Sequence, residues 1–120
     1  MNVETFREYC LEKAHVSESF PFDENTLVFK LNGKMYALIG LEDGNRCNLK
    51  CDPERAVELR ASYEGIIPGY HMSKKHWNTV YFDRDVPEKL IIELIDHSYE
   101  LIFNSFSKKI QAELNEHATR

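Results

Sequence analysis

Val3, Phe6, Cys10 and the pair Lys13-Ala14 recur at helical spacing behind Asn2, a residue suited to an N-cap. They predict an amphipathic helix that closes near Lys13. Thr26–Leu31 and Lys34–Gly40 are rich in β-branched and aromatic residues, and Asn32-Gly33 joins them. Both turn residues tolerate positive φ, so the segment predicts a β-hairpin with a two-residue turn. A third strand follows at Arg46–Cys51. Its alternation sends Cys47 and Leu49 to one face and Arg46, Asn48 and Lys50 to the other, which predicts one sheet face that is polar and partly basic.

Asp52-Pro53-Glu54 is a compact helix start, with an N-cap acid, proline in the first turn and a further acid beside it; the helix runs toward Ser62. Gly65–Gly69 reads as a short extended piece and Trp77–Phe82 as a strand. Pro87 opens a long helix with one apolar side that fades near Phe103. The pattern predicts a two-layer α+β domain over residues 1–106, in the order α-β-β-β-α-β-β-α, with helices on one face of an antiparallel sheet. Residues 107–120 form a polar tail or a short extra helix. Between them, Ser17–Asp23 sets Pro21 between two phenylalanines, which predicts an ordered loop with its rings turned into the core.

Composition narrows the function classes. At 120 residues the chain has room for one core, and no Pro-, Gly- or Ser-rich linker divides it. The apolar runs are far shorter than the roughly 18 residues that cross a bilayer. The amino terminus lacks the basic and apolar regions of an export signal, so the expectation is a cytoplasmic protein with its three cysteines as thiols. The net charge of −5 opposes strong nucleic-acid binding, yet residues 30–77 carry eight basic and six acidic side chains and form the one segment with a positive balance.

No motif for catalysis is present: the chain holds no nucleophile elbow, phosphate loop or dinucleotide fingerprint. Cys47 and Cys51 are not spaced as a zinc knuckle. His71 and His76, five apart, share neither a helix face nor a strand face, so neither metal nor cofactor is expected. The distinctive stretch is His71–Tyr81, with two lysines, two histidines and a tryptophan. Within it Lys74 and Lys75 can hold phosphates, and Trp77, Val80 and Phe82 can belong to the core.

Several blocks together resemble the MmcQ/YjbR family of small bacterial proteins: Phe20-Pro21-Phe22-Asp23, Leu27-Val28-Phe29-Lys30, Gly33-Lys34-Met35-Tyr36-Ala37-Leu38, Asn48-Leu49-Lys50-Cys51-Asp52-Pro53-Glu54, and Pro68 with His71-Met72, Lys74, His76-Trp77 and Thr79-Val80. The resemblance extends to about Phe103. It implies a sheet likened to secretion chaperones and to a double-wing DNA-reading domain, and it brings a DNA-binding label that rests on shape. Two non-catalytic readings follow. One is a weak DNA-binding domain using Lys30, Arg46, Lys50, His71, Lys74, Lys75, His76 and Asn78. The other is a protein-interaction or chaperone-like module that docks a partner through the open sheet face or the aromatic loop Phe20–Phe22.

Overall fold

The computed structural model describes residues 1–118, with the side chains of 117 and 118 left aside; the last two residues of the predicted tail lie outside this range. Helix α1 (Val3–Glu12) leads into strands β1 (Val16–Ser19), β2 (Thr26–Leu31), β3 (Lys34–Gly40) and β4 (Arg46–Lys50). Helix α2 (Pro53–Ser62), strands β5 (Ile66–Pro68) and β6 (Trp77–Tyr81), and helices α3 (Glu88–Ser105) and α4 (Lys108–Ala118) complete the chain. The six strands form one antiparallel sheet in the order β1-β2-β3-β4-β6-β5.

The α+β class and the order of the predicted elements hold, with one strand beyond those predicted and the tail made definite as a helix. β1 is an added edge strand, pairing Val16 with Leu31 through Ser19 with Val28. The tail closes as α4. Local signals act as read: Asn2 accepts the Thr5 N–H at 2.8 Å, Asp52 accepts that of Arg55 at 3.1 Å, and Asn32 and Gly33 take φ of 48° and 87° at the hairpin turn.

The helices cover one face. Phe6 and Cys10 of α1, Ala56 and Leu59 of α2, and Ile91, Leu94, Ile95 and Ile102 of α3 pack on Leu27, Phe29, Leu31, Ile39, Cys47, Leu49, Ile66 and Val80. Burying this apolar surface is what holds the layers together. A bulge at Phe29/Lys30 interrupts the β2–β3 register beside Tyr36. There the Ser98 hydroxyl of α3 donates to the Tyr36 carbonyl at 2.6 Å and accepts the Lys50 N–H at 3.0 Å, joining the backbones of β3 and β4. The Tyr36 hydroxyl in turn donates to the Cys10 carbonyl at 2.8 Å and ties β3 to α1.

Candidate functional site

The helix-free face departs from the polar surface expected of it. Val28, Leu38 and Trp77 are buried there as a second, smaller cluster, flanked by Met35 and Met72. Asn48 and Thr79 lie beside it in neighbouring strands. Two loops shield this centre: the segment 20–25 after β1 and the segment 69–76 between β5 and β6. Trp77 and Val80 both belong to the interior, but alternation places them on opposite faces.

The first loop is shaped by Asp23, whose carboxylate accepts the N–H groups of Asn25 at 2.8 Å and Thr26 at 2.7 Å. Those backbone bonds hold the Asp23 carboxyl below its ordinary pKa. The turn directs the aromatic rings outward: Phe20 is 48% exposed and Phe22 63%, which corrects the expectation that they reach into the core. An Asx turn folds this loop on its own hydrogen bonds, so buried rings are not needed to order it.

The second loop is fastened to the sheet. The Thr79 hydroxyl donates to Asn48 Oδ1 at 2.6 Å and accepts the Tyr70 N–H at 3.0 Å; Asn48 Nδ2 donates to the Tyr70 carbonyl at 3.2 Å. Gly69 sits so close to Trp77 that an added Cβ would come within 2.8 Å of the Trp77 Cβ. His71 takes a positive φ of 59°, and its ring lies 4.1 Å from that of Tyr70. Tyr70 is therefore held by both its backbone groups while its side chain stays 55% exposed.

Between the loops lies a cleft of about 440 Å³. Its floor is Leu38, Gly40 and Asn48, and its walls are Phe22 on one side and Tyr70 and Met72 on the other. Arg46 enters from β4. Its guanidinium carbon is 5.2 Å from the Tyr70 ring centre and 5.9 Å from that of Tyr81, and Nη1 donates to the Tyr81 hydroxyl at 3.2 Å. That hydrogen bond raises the Arg46 pKa further, so the side chain is a permanent cation. Its ion pair with Asp43 is long, at 3.7 Å.

The eight residues singled out for DNA fall into separate places. Arg46 and His71 line the cleft. Lys50 lies four residues from Arg46 along β4, about 13 Å away by strand rise. The exposed Lys74, Lys75 and His76 end beside it, because the Cys51 N–H donates to the His76 carbonyl at 2.8 Å. Lys30 is on the same face, two strands away at about 10 Å. Asn78 is only 2% exposed and points to the covered face, where its Oδ1 accepts Arg60 Nε at 2.7 Å; it has no surface to offer a ligand. Residues on the cleft that sequence reasoning passed over are Tyr70, Leu38 and Met72. Tyr70 had one signal, an isolated aromatic beside a glycine in a loop.

No group of three metal-ligating side chains converges among the described residues. Burial keeps the cysteines protonated, with the Cys10 thiol pushed up to about 12 and that of Cys51 to about 11, while Cys47 is raised well above its ordinary value. No helix of the described residues is long and apolar enough to cross a membrane.

A two-layer α+β domain with three helices packed on one sheet face and a walled cleft on the other defines the structural class. Within that class the chain belongs to the YjbR family, whose family model, described as YjbR, matches residues 11–101. It is similar to the Escherichia coli O157:H7 protein YbdF, 37% identical over 109 residues spanning 90% of this chain and 89% of the relative. YjbR of Escherichia coli (strain K12) is 30% identical over 105 residues, 87% of this chain and 89% of its own. The crystal structure of Deinococcus radiodurans protein DR2400 superimposes with a TM-score of 0.88 at 45% identity, covering 94% of this chain and 87% of that one.

Proposed function

We propose that this domain is a non-catalytic protein-interaction module whose docking site is the cleft on the helix-free face of the sheet. The observation that carries the reading is the pairing of Phe22 and Tyr70, large side chains left mostly exposed on braced loops across a floor that includes Leu38. Adjacent apolar groups in water favour a partner that covers them. The non-catalytic part of the reading is supported by thiols held protonated, which makes them poor nucleophiles.

Selection of random peptides on the folded domain, with counter-selection on a Phe22→Ala/Tyr70→Ala variant, tests the reading. Peptides that bind the wild type, fail on the variant and shift the backbone amide resonances of Leu38, Gly40 and Asn48 are the expected result. Peptides that enrich equally on both proteins would remove the cleft from consideration.

Weak DNA binding is the second reading, and one arrangement favours it: Lys50 stands beside the Lys74–His76 loop, with Lys30 on the same face. A few phosphate contacts of this kind give weak binding that falls steeply with salt. A mobility-shift titration with mixed duplexes at low salt, in which Lys50→Gln/Lys74→Gln lowers affinity and flattens the salt slope, would support DNA over a protein partner. Arg46 contributes little to such a patch, since it stands at the opposite end of β4.

A further inference from the structure

We propose that the cleft recognises a peptide segment in which an aromatic side chain stands next to a glutamate or aspartate, the ring entering between Phe22 and Tyr70 and the carboxylate meeting Arg46. The proposal rests on the reading of the cleft as a protein-docking site and adds the chemistry of its occupant.

Charge complementarity decides the anionic half. Arg46 is the one lysine or arginine lining the cleft, and its planar fork is only partly used. Nη1 is bonded to the neutral Tyr81 hydroxyl, and the Asp43 carboxylate stands 3.7 Å from Nη2, well beyond the roughly 2.7–2.9 Å of a charge-assisted hydrogen bond. Asp23, the one acid in the lining, does not compete for it. Both Asp23 oxygens are engaged by its own loop, with Oδ1 taking the Asn25 and Thr26 N–H groups and Oδ2 the Thr26 hydroxyl at 3.3 Å. The guanidinium is also pre-positioned between the rings of Tyr70 and Tyr81, so little side-chain freedom remains to be lost when a carboxylate arrives.

The apolar half follows from the walls. Phe22, Tyr70, Leu38 and Met72 present rings, aliphatic surface and a thioether, the groups against which an aromatic side chain packs best. Because Arg46 lies over the Tyr70 ring, a carboxylate on Arg46 and a ring against Tyr70 must come from neighbouring positions of the ligand. The cleft volume of about 440 Å³ stands toward the lower end of the ~300–1,000 Å³ of small-ligand pockets, which suits adjacent side chains of an extended segment.

The test uses four hexapeptides blocked at both ends, of sequence Gly-Ser-X-Z-Ser-Gly with X-Z as Phe-Glu, Phe-Gln, Ala-Glu or Phe-Lys, titrated into the full chain while amide resonances are followed. The Phe-Glu peptide is expected to shift Leu38, Gly40, Asn48 and Tyr70 and to bind about tenfold more tightly than Phe-Gln or Ala-Glu, the worth of one charge-assisted hydrogen bond or one well-packed ring. Arg46→Gln should abolish the advantage of Phe-Glu over Phe-Gln while the phenylalanine preference survives. Arg46→Glu should reverse the order and favour Phe-Lys; should that charge reversal unfold the domain, Arg46→Gln carries the test alone. Equal binding of Phe-Glu and Phe-Gln to the wild type, or a carboxylate preference that persists in Arg46→Gln, overturns the inference and leaves the docking reading intact. Failure of all four peptides to shift cleft resonances overturns both.

Discussion

The two faces of this sheet both bury apolar side chains, under different covers. On the helix side, Phe29 packs edge-on against Phe6, with ring centres 5.8 Å apart, inside a cluster drawn from three helices and all the strands but β1. On the other side, Val28, Leu38 and Trp77 are shielded by two loops and the flanking methionines, and the same apolar surface continues into an open cleft. Neighbouring residues of one strand, Val28 and Phe29, therefore serve different ends. The first face supplies most of the folding energy, and the second keeps apolar surface within reach of solvent.

The sharpest way to break this contrast is to truncate both faces. Phe29→Ala should cost about 3–5 kcal/mol, enough to bring a domain of ordinary stability close to unfolding, as read from denaturant melts. Ser98→Ala should cost about 2–3 kcal/mol, because it strands the Tyr36 carbonyl and the Lys50 N–H in a buried setting. Leu38→Ala should cost about 2 kcal/mol, the lower end for a buried leucine, since the space it leaves opens on the cleft rather than closing as a void. If Leu38→Ala proved as damaging as Phe29→Ala, the free face would have to be counted as core.

A smaller effect tests the helix side through pH. His97 accepts the Asp52 N–H on Nε2 at 3.1 Å, which requires a neutral ring, and burial together with nearby Arg55 lowers its pKa below the ordinary 6.5. The unfolded chain then takes up the proton first as pH falls. This contribution is complete above pH 6.5 and is lost as pH drops through the lower folded value. The denaturant midpoint of wild type relative to His97→Ala should therefore shrink between about pH 7.5 and about pH 5.5, the range in which histidine titrates. Smallest of all, Phe22→Ala should leave stability within about 0.5 kcal/mol of wild type, since its ring is mostly in water.

Much of the frame was legible in the sequence because local chemistry wrote it. Asn32-Gly33 needs positive φ, Asp52-Pro53 caps a helix, and the alternation of Arg46–Lys50 sorts its side chains correctly between faces. β1 was not legible, since Val-Ser-Glu-Ser offers one apolar residue and an edge strand needs only its backbone to join a sheet. The aromatic loop misled for the opposite reason: hydrophobicity points Phe20 and Phe22 inward, but the Asp23 turn fixes the backbone without them. Seven of the eight candidate residues lie in the positively balanced stretch 30–77, but they do not form one patch: Arg46 and His71 line the cleft, and Lys50 stands at the other end of β4. The cleft itself is assembled from segments near residues 22, 38, 46 and 70, whose meeting depends on strand order and leaves no trace in any one segment.

The brace that fixes Tyr70 bears on how the family can diversify. Asn48 and Thr79 hold the loop through the Tyr70 backbone and are indifferent to the side chain that residue carries, so position 70 can be exchanged without loosening the sheet beneath. Phe22 is free in the same sense, because its turn depends on Asp23. Selectivity in this scaffold can change at little cost to folding, and libraries randomised at Phe22 and Tyr70 should keep a high fraction of folded members.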